Sequence, residues 1–203
     1  MFLNDWYQQY KKFSENFRAK YFQPILQLLA ILRIMPNQIT VFRLIFIIPI
    51  AFYFYEENLS GVLVFYLLFW LLDLFDGALA RYLNKQSDKG RFLDTLVDNF
   101  MYGVLMVGMI HLQVAWLWLL AANIVLEYTV QILGMLYKQW GVPSDFIIKA
   151  QADLPYFKSV SHLSLFLYYL GLNYLNIIYY LLDLGLLVEV GYYFYKLKPK
   201  FNH

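Results

Sequence analysis

The chain has 203 residues, of which 61% are hydrophobic and only 15% are charged. Soluble domains carry about 45–50% apolar and about 25% charged residues, and a domain of this size keeps roughly a quarter to a third of its chain surface in water. An ordinary soluble globule and a disordered chain are therefore excluded. With no cysteine there is no disulfide framework and no Cys-ligated zinc or iron–sulfur site. A net charge of +2 gives no reason to expect nucleic acid as a partner.

In chain order, Phe2, Trp6, Tyr10, Phe13, Phe17 and Tyr21 recur at spacings of three and four, with Lys11, Lys12, Arg18 and Lys20 around them. This predicts an amphipathic helix over 1–22, anchored by aromatics in the membrane interface. Asn4 or Asp5 is its candidate cap. A helix packed on another protein is the alternative. The segment lacks the basic stretch followed by an apolar run that marks a signal peptide.

Six stretches then approach the ~20 apolar residues that a membrane helix needs. They are Ile39–Tyr55, Gly61–Tyr82, Phe92–Leu112, Val114–Tyr137, Phe157–Leu172 and Ile177–Tyr195. The expected fold class is an all-α integral membrane protein. Six transmembrane helices over 36–196 follow the interfacial helix, and 1–203 forms one multi-pass membrane domain. The connectors after the first, third and fifth spans contain no Lys or Arg, and all 16 basic residues fall at or near the other side. The positive-inside rule then puts both termini in the cytoplasm.

An ionisable residue at mid-helix costs about 2.5–3.5 kcal/mol on insertion scales, yet the second and third spans carry four aspartates. Asp73 and Asp76 are three apart and Asp94 and Asp98 four apart, so each pair lies on one helix face. An antiparallel helix pair brings them together near its cytoplasmic end. Four such charges require protons or cations. Hard oxygen donors without His or Cys favour Mg²⁺, Mn²⁺ or Ca²⁺ over zinc. Two divalent ions suit four carboxylates and bind a pyrophosphate. Gly77 and Ala80 let a ligand approach the backbone, Arg81 offers a planar fork to phosphate, and Gly90 leaves room beside the acids. The competing readings are ion pairs with Arg81, Lys89 and Arg91, or proton or sodium carriage in a cation transporter.

The run Asp73-x2-Asp76-Gly77-x2-Ala80-Arg81-x8-Gly90-x3-Asp94-x3-Asp98 resembles the complete signature of the CDP-alcohol phosphatidyltransferases. The resemblance implies transfer of a phosphatidyl group from CDP-diacylglycerol, or a related CDP-lipid, to a polar alcohol, with release of CMP. It implies two metal ions, Mg²⁺ or Mn²⁺, on Asp73, Asp76, Asp94 and Asp98, with Asp98 also the catalytic base. It further implies CDP-lipid contacts from Gly77, Ala80, Arg81, Ser87 and Gly90. The segment Pro36-Asn37-Gln38-Ile39-Thr40 resembles the family's cytidine-holding run. The active site is expected to face the cytoplasm, among membrane lipids, in a homodimer built largely from the third and fourth spans. A CDP-choline or CDP-ethanolamine enzyme acting on diacylglycerol shares the signature, but such relatives are usually longer.

The acceptor is less legible. Family members using phosphorylated acceptors often carry Lys or Arg after the last aspartate, where this chain has Asn99. Lys158-Ser159 loosely resembles a Lys-Thr of phosphatidylglycerophosphate synthases, and Lys149 lies nearby. These make glycerol 3-phosphate the first acceptor to expect, with ordinary interfacial lysines as the alternative. Asn123, Glu127 and Gln131 form a stripe along the fourth span, read as an interhelical hydrogen-bond seam, with Arg43 a candidate partner, or as part of an acceptor cavity.

Overall fold

The computed structural model describes residues 21–141, 156–172 and 174–201. These residues are helical and contain no strand. Helix α1 spans Tyr21–Ile31. Helix α2 (Pro36–Phe42) continues through a 3₁₀ turn (Arg43–Phe46) into α3 (Ile47–Tyr55). There follow α4 (Leu59–Tyr82), α5 (Asp88–His111), α6 (Leu117–Gln139), α7 (Tyr156–Tyr169) and α8 (Leu175–Phe201).

Among the described residues five helical stretches are long and apolar enough to cross a membrane: Pro36–Tyr55, Leu59–Tyr82, Asp88–His111, Leu117–Tyr137 and Leu175–Lys198. The first gains its length by starting at Pro36, whose fixed φ suits the first helical position. The expected fifth span corresponds to α7, which has 14 residues. Of the expected interfacial helix, all but Tyr21 and Phe22 lie outside the described residues.

Sharp helix stops shape the connectors. Arg33, Asn84 and Gln113 take positive φ just past the ends of α1, α4 and α5. Each sits in a paired closing motif: Ile34 N–H bonds Leu29 C=O, Lys85 N–H bonds Ala80 C=O, and Val114 N–H bonds Met109 C=O, at 2.9–3.0 Å. These bonds satisfy carbonyls that a helix end leaves without partners. Glycine would take this backbone without strain, and only Asn84 among the three is a residue that commonly tolerates it.

The chain divides into two compact units. One comprises residues up to Tyr53 with Gly61–Met101, and the other Phe54–Ser60 with residues from Tyr102 on. In the first, Leu26 of α1, Ile39 of α2, and Ala78 and Leu79 of α4 form a buried cluster, with Phe22, Leu29, Ile34, Leu72 and Leu83 against it. The Phe22 ring also packs against Phe75, tilted by 40°, with centroids 4.8 Å apart. Thus α1 braces the polar ends of α2 and α4 from behind.

In the second unit α6 and α8 pack along their length. Leu133 and Tyr137 meet Tyr193 and Leu197 there. Hydroxyls join the other helices: Ser164 and Tyr179 lie 2.6 Å apart, and Tyr179 reaches Met109 Sδ at 3.4 Å. The buried ring of Phe54 lies where a Cβ on Gly108 would overlap it, so the glycine permits this contact.

Candidate active site

The site lies in the first unit, at the polar ends of α2, α4 and α5. On α4, Asp73 and Asp76 are one turn apart, and on α5 so are Asp94 and Asp98. The carboxylate oxygens of Asp73, Asp76 and Asp94 come within 4.8 Å of one another. Arg43, from the 3₁₀ turn, lies among them. Its Nη1 is 2.9 Å from Asp73 Oδ1, 3.2 Å from Asp76 Oδ2 and 2.7 Å from Asp94 Oδ1. Its Nη2 is 2.5 Å from Asp98 Oδ1. Thr40 adds a donor, its hydroxyl 2.9 Å from Asp76 Oδ2.

The competing reading pairs the aspartates with Arg81, Lys89 and Arg91; Arg43 instead reaches all four. Arg91 pairs with Asp88, one turn away on the exposed start of α5. The sequence offers Arg43 as a candidate partner of the stripe of Asn123, Glu127 and Gln131, whereas its guanidinium lies against the four aspartates. The available signal was helical spacing. Asn37, Thr40 and Arg43 recur every three residues, so the arginine shares a face with residues already assigned to the site.

A cavity of about 470 Å³ opens beside Asp76 and Asp94, with Asp73 and Asp98 outside its lining. Among the residues lining it are Asn37, Thr40, Asp76, Gly77, Ala80 and Arg81, and on the connector and α5 Ser87, Gly90 and Asp94. Lys85 and Arg91 add positive charge to the wall. A Cβ added to Gly77 would meet nothing nearer than the Arg81 guanidinium at 3.8 Å, so the bare helix surface leaves room for a ligand. At Gly90 a Cβ would stand 3.1 Å from Asn37 Oδ1 and 3.2 Å from Ser87 Oγ. The Gly90 N–H also donates to Ser87 Oγ at 3.0 Å. Here the missing side chain lets the connector close on α2.

Two residues of the Pro36–Thr40 run do not line the cavity. Gln38 turns back, its Oε1 accepting from Met35 N–H at 2.8 Å, which caps α2. Ile39 is buried in the cluster beneath α1. A five-residue helical run passes through more than one full turn, so its side chains cannot share a face. Of the expected acceptor residues, Lys149 lies outside the described residues. Lys158 falls within α7, and its side chain is likewise outside the description.

The stripe on α6 belongs to the second unit. The Tyr102 hydroxyl donates to Asn123 Oδ1 at 2.8 Å, and Asn123 Nδ2 donates to Asp183 Oδ1 at 2.9 Å. This joins α5, α6 and α8 in a buried seam. Glu127 and Glu189 are buried as well.

The carboxylates of Asp73, Asp76 and Asp94 lie close enough to hold a metal ion. Residues 33–188 match the family model of the CDP-alcohol phosphatidyltransferases. The chain belongs to the CDP-alcohol phosphatidyltransferase family. The match runs through both units and contains every signature residue from Asp73 to Asp98.

Similar curated proteins include an uncharacterized protein of Aquifex aeolicus, 40% identical over 98 residues, which cover 48% of this chain and 44% of that one. The archaetidylinositol phosphate synthase of Pyrococcus horikoshii is 33% identical over 118 residues, covering 53% of this chain and 62% of that one. The CDP-diacylglycerol–glycerol-3-phosphate 3-phosphatidyltransferase of Aquifex aeolicus is 40% identical over 63 residues, covering 31% and 35%. The chain thus spans about a third to three fifths of the length of these relatives. No solved structure matches it.

Proposed function

We propose that the protein is a phospholipid-synthesising transferase. It moves a phosphatidyl group from CDP-diacylglycerol, or a related CDP-lipid, to the hydroxyl of a polar alcohol and releases CMP. The observation that carries this reading is the cavity itself. The small residues and arginine of the signature line it together with Asp76 and Asp94.

In this reading the nucleotide end of the donor lies along α2 and α4. Asn37 and Thr40 offer amide and hydroxyl groups to the cytidine. Gly77 and Ala80 let the diphosphate approach the helix, and Arg81 pairs with it. Ser87 and Gly90 border its far side. Asp73, Asp76, Asp94 and Asp98 hold two Mg²⁺ or Mn²⁺ ions, which when bound neutralise charge on the reacting phosphates. Asp98 accepts the proton of the acceptor hydroxyl. The acceptor oxygen bonds to the lipid-side phosphorus, and the bond to the CMP phosphate breaks.

Glycerol 3-phosphate is the first acceptor proposed. One similar enzyme is named for that acceptor and another for a phosphorylated product. Lys149 and Lys158 are the residues assigned to its phosphate. The placement of basic residues supports a six-span enzyme whose termini and site face the cytoplasm. A homodimer is proposed as the working form.

The test is purified protein in mixed micelles with CDP-diacylglycerol, Mg²⁺ and single acceptors: glycerol 3-phosphate, inositol phosphate or an unphosphorylated alcohol. Formation of CMP together with a phosphatidylated product of the acceptor's mass supports the reading. No CMP with any acceptor contradicts it.

A further inference from the structure

Among the described residues of the first unit Arg43 is the most deeply buried charged group, with a side chain 1% exposed. An arginine within an apolar span carries a large desolvation penalty, which only close and well-hydrogen-bonded partners offset. It has four carboxylate partners, two on α4 and two on α5, and donates hydrogen bonds to Asp76, Asp94 and Asp98. Its guanidinium carbon also lies 4.3 Å from the centroid of the Phe69 ring, so an aromatic face on α4 backs the cation.

The geometry distinguishes a bridge from a simple ion pair. One Nη has two protons, and Nη1 here meets three carboxylates, while Nη2 serves the fourth. Nη1 thus bridges α4 to α5, and Nη2 extends the bridge to Asp98. A lysine ammonium, a compact point charge with one nitrogen, cannot stand in for both Nη1 and Nη2. The outer edges of the acids remain open: Asp73, Asp94 and Asp98 are 33%, 42% and 40% exposed. Arg43 holds the cage from its buried side and leaves those edges facing outward.

Charge arithmetic gives the bridge a second consequence. Four carboxylates and one guanidinium sum to −3. Two divalent ions would bring the centre to +1, the sign that attracts a diphosphate. Without the arginine the loaded centre would be neutral.

We infer that Arg43 is the positioning residue of the acidic centre: by bridging the carboxylates of α4 to those of α5 it sets the spacing at which the centre takes divalent cations. The inference rests on the proposed metal role of the aspartates. It also requires that bridging outweigh repulsion of the incoming ions. Asp73, Asp94 and Asp98 are partly solvated, so repulsion at those three is screened. Loss of the bridge, by contrast, lets like charges on two helices separate.

The experiment is a Mn²⁺ titration of the full chain in detergent, read by the electron paramagnetic resonance of free and bound ion. It compares the wild type, Arg43→Lys, Arg43→Met and Asp94→Asn, each checked for a monodisperse helical fold. Binding by the wild type, and its loss in Asp94→Asn, tests the metal reading alone. Given that, Arg43→Lys and Arg43→Met each need about tenfold more Mn²⁺ for half-saturation. Half-saturation within threefold of wild type in folded Arg43→Lys overturns the inference while the metal reading stands. Tighter binding in Arg43→Met, as removal of a repelling cation produces, overturns it too. Should Arg43→Met not fold, the lysine variant decides.

Discussion

The hydroxyl of Thr40 donates to Oδ2 of Asp76 across 2.9 Å, tying the first span to the acidic helix. The same hydroxyl lies 3.2 Å from the carbonyl of Pro36, one turn back, so it is fixed at both ends. Thr40→Val keeps the shape and removes the donor. A hydrogen bond to a charged group contributes about 1.5–3 kcal/mol, so the Mg²⁺ needed for half-maximal CMP formation should rise about tenfold to a hundredfold. An unchanged Mg²⁺ titration would show that the bond does nothing for the site.

Gly90 lies where the connector after α4 closes on α2. A methyl there would stand 3.1 Å from Asn37 Oδ1 and 3.2 Å from Ser87 Oγ, and both must retreat by a few tenths of an ångström. Gly90→Ala should therefore raise the KM for the CDP-lipid by about threefold to tenfold. That is well short of the hundredfold that a full ångström of misplacement can cost. The melting temperature should barely change. Steady-state kinetics over a donor concentration series checks this.

Legibility in the sequence differs from residue to residue. The helices bearing the aspartates are readable, because each needs only a long apolar run and a spacing of three or four. The expected Gly61–Tyr82 and Phe92–Leu112 correspond to Leu59–Tyr82 and Asp88–His111. The role of Arg43 is not. A single arginine near the start of a span looks like any positive-inside residue, and its partners lie 30 to 55 positions away. Which helix passes beside it is a matter of tertiary packing. Gln38 and Ile39 are neighbours of Asn37 and Thr40 in the chain, but helical rotation sends one to a cap and the other to the core. For Asn123 the hydrogen-bond seam follows from a polar residue placed on an apolar helix.

That seam makes a stability prediction. Asn123→Leu strips the Tyr102 hydroxyl of this acceptor and Asp183 of this donor, both inside the helix packing. Interhelical hydrogen bonds in membranes average only about 0.6 kcal/mol. A buried polar group that loses its partner costs more, about 1–3 kcal/mol. Leaving Asp183 Oδ1 without this donor should dominate the loss of the bonds themselves. Unfolding in mixed detergent micelles should therefore show Asn123→Leu destabilised by about 1–3 kcal/mol. A loss of only about half a kcal/mol would mean the seam relaxes freely.

Gly108→Ala tests packing in the second unit. The added carbon would overlap the Phe54 ring, whose side chain is 3% exposed and has little room to move. Overpacking of this kind costs about 1–3 kcal/mol. Phe54→Ala alone should cost about 3–5 kcal/mol by leaving a cavity. Because the two residues touch, the double variant should be more stable than the sum of the single losses predicts. Strict additivity would contradict the contact.

Asp98 separates chemistry from binding. If it takes the acceptor proton, Asp98→Asn should lower turnover by about 10²–10⁴-fold, the usual range for a general base. Binding of the CDP-lipid, followed by equilibrium titration, should stay within about threefold, since the loss falls on the transition state. A variant with wild-type turnover would remove the proton-accepting role from this residue.

The most direct test of metal-dependent transfer at the aspartate centre is CMP release from CDP-diacylglycerol as a function of added Mg²⁺ or Mn²⁺, in the wild type and in Asp76→Asn and Asp94→Asn. The expected result is no CMP in the presence of chelator, a saturable rise with metal in the wild type, and almost none in either variant at the same metal concentration. CMP formation indifferent to chelator, or undiminished in both variants, would contradict that mechanism.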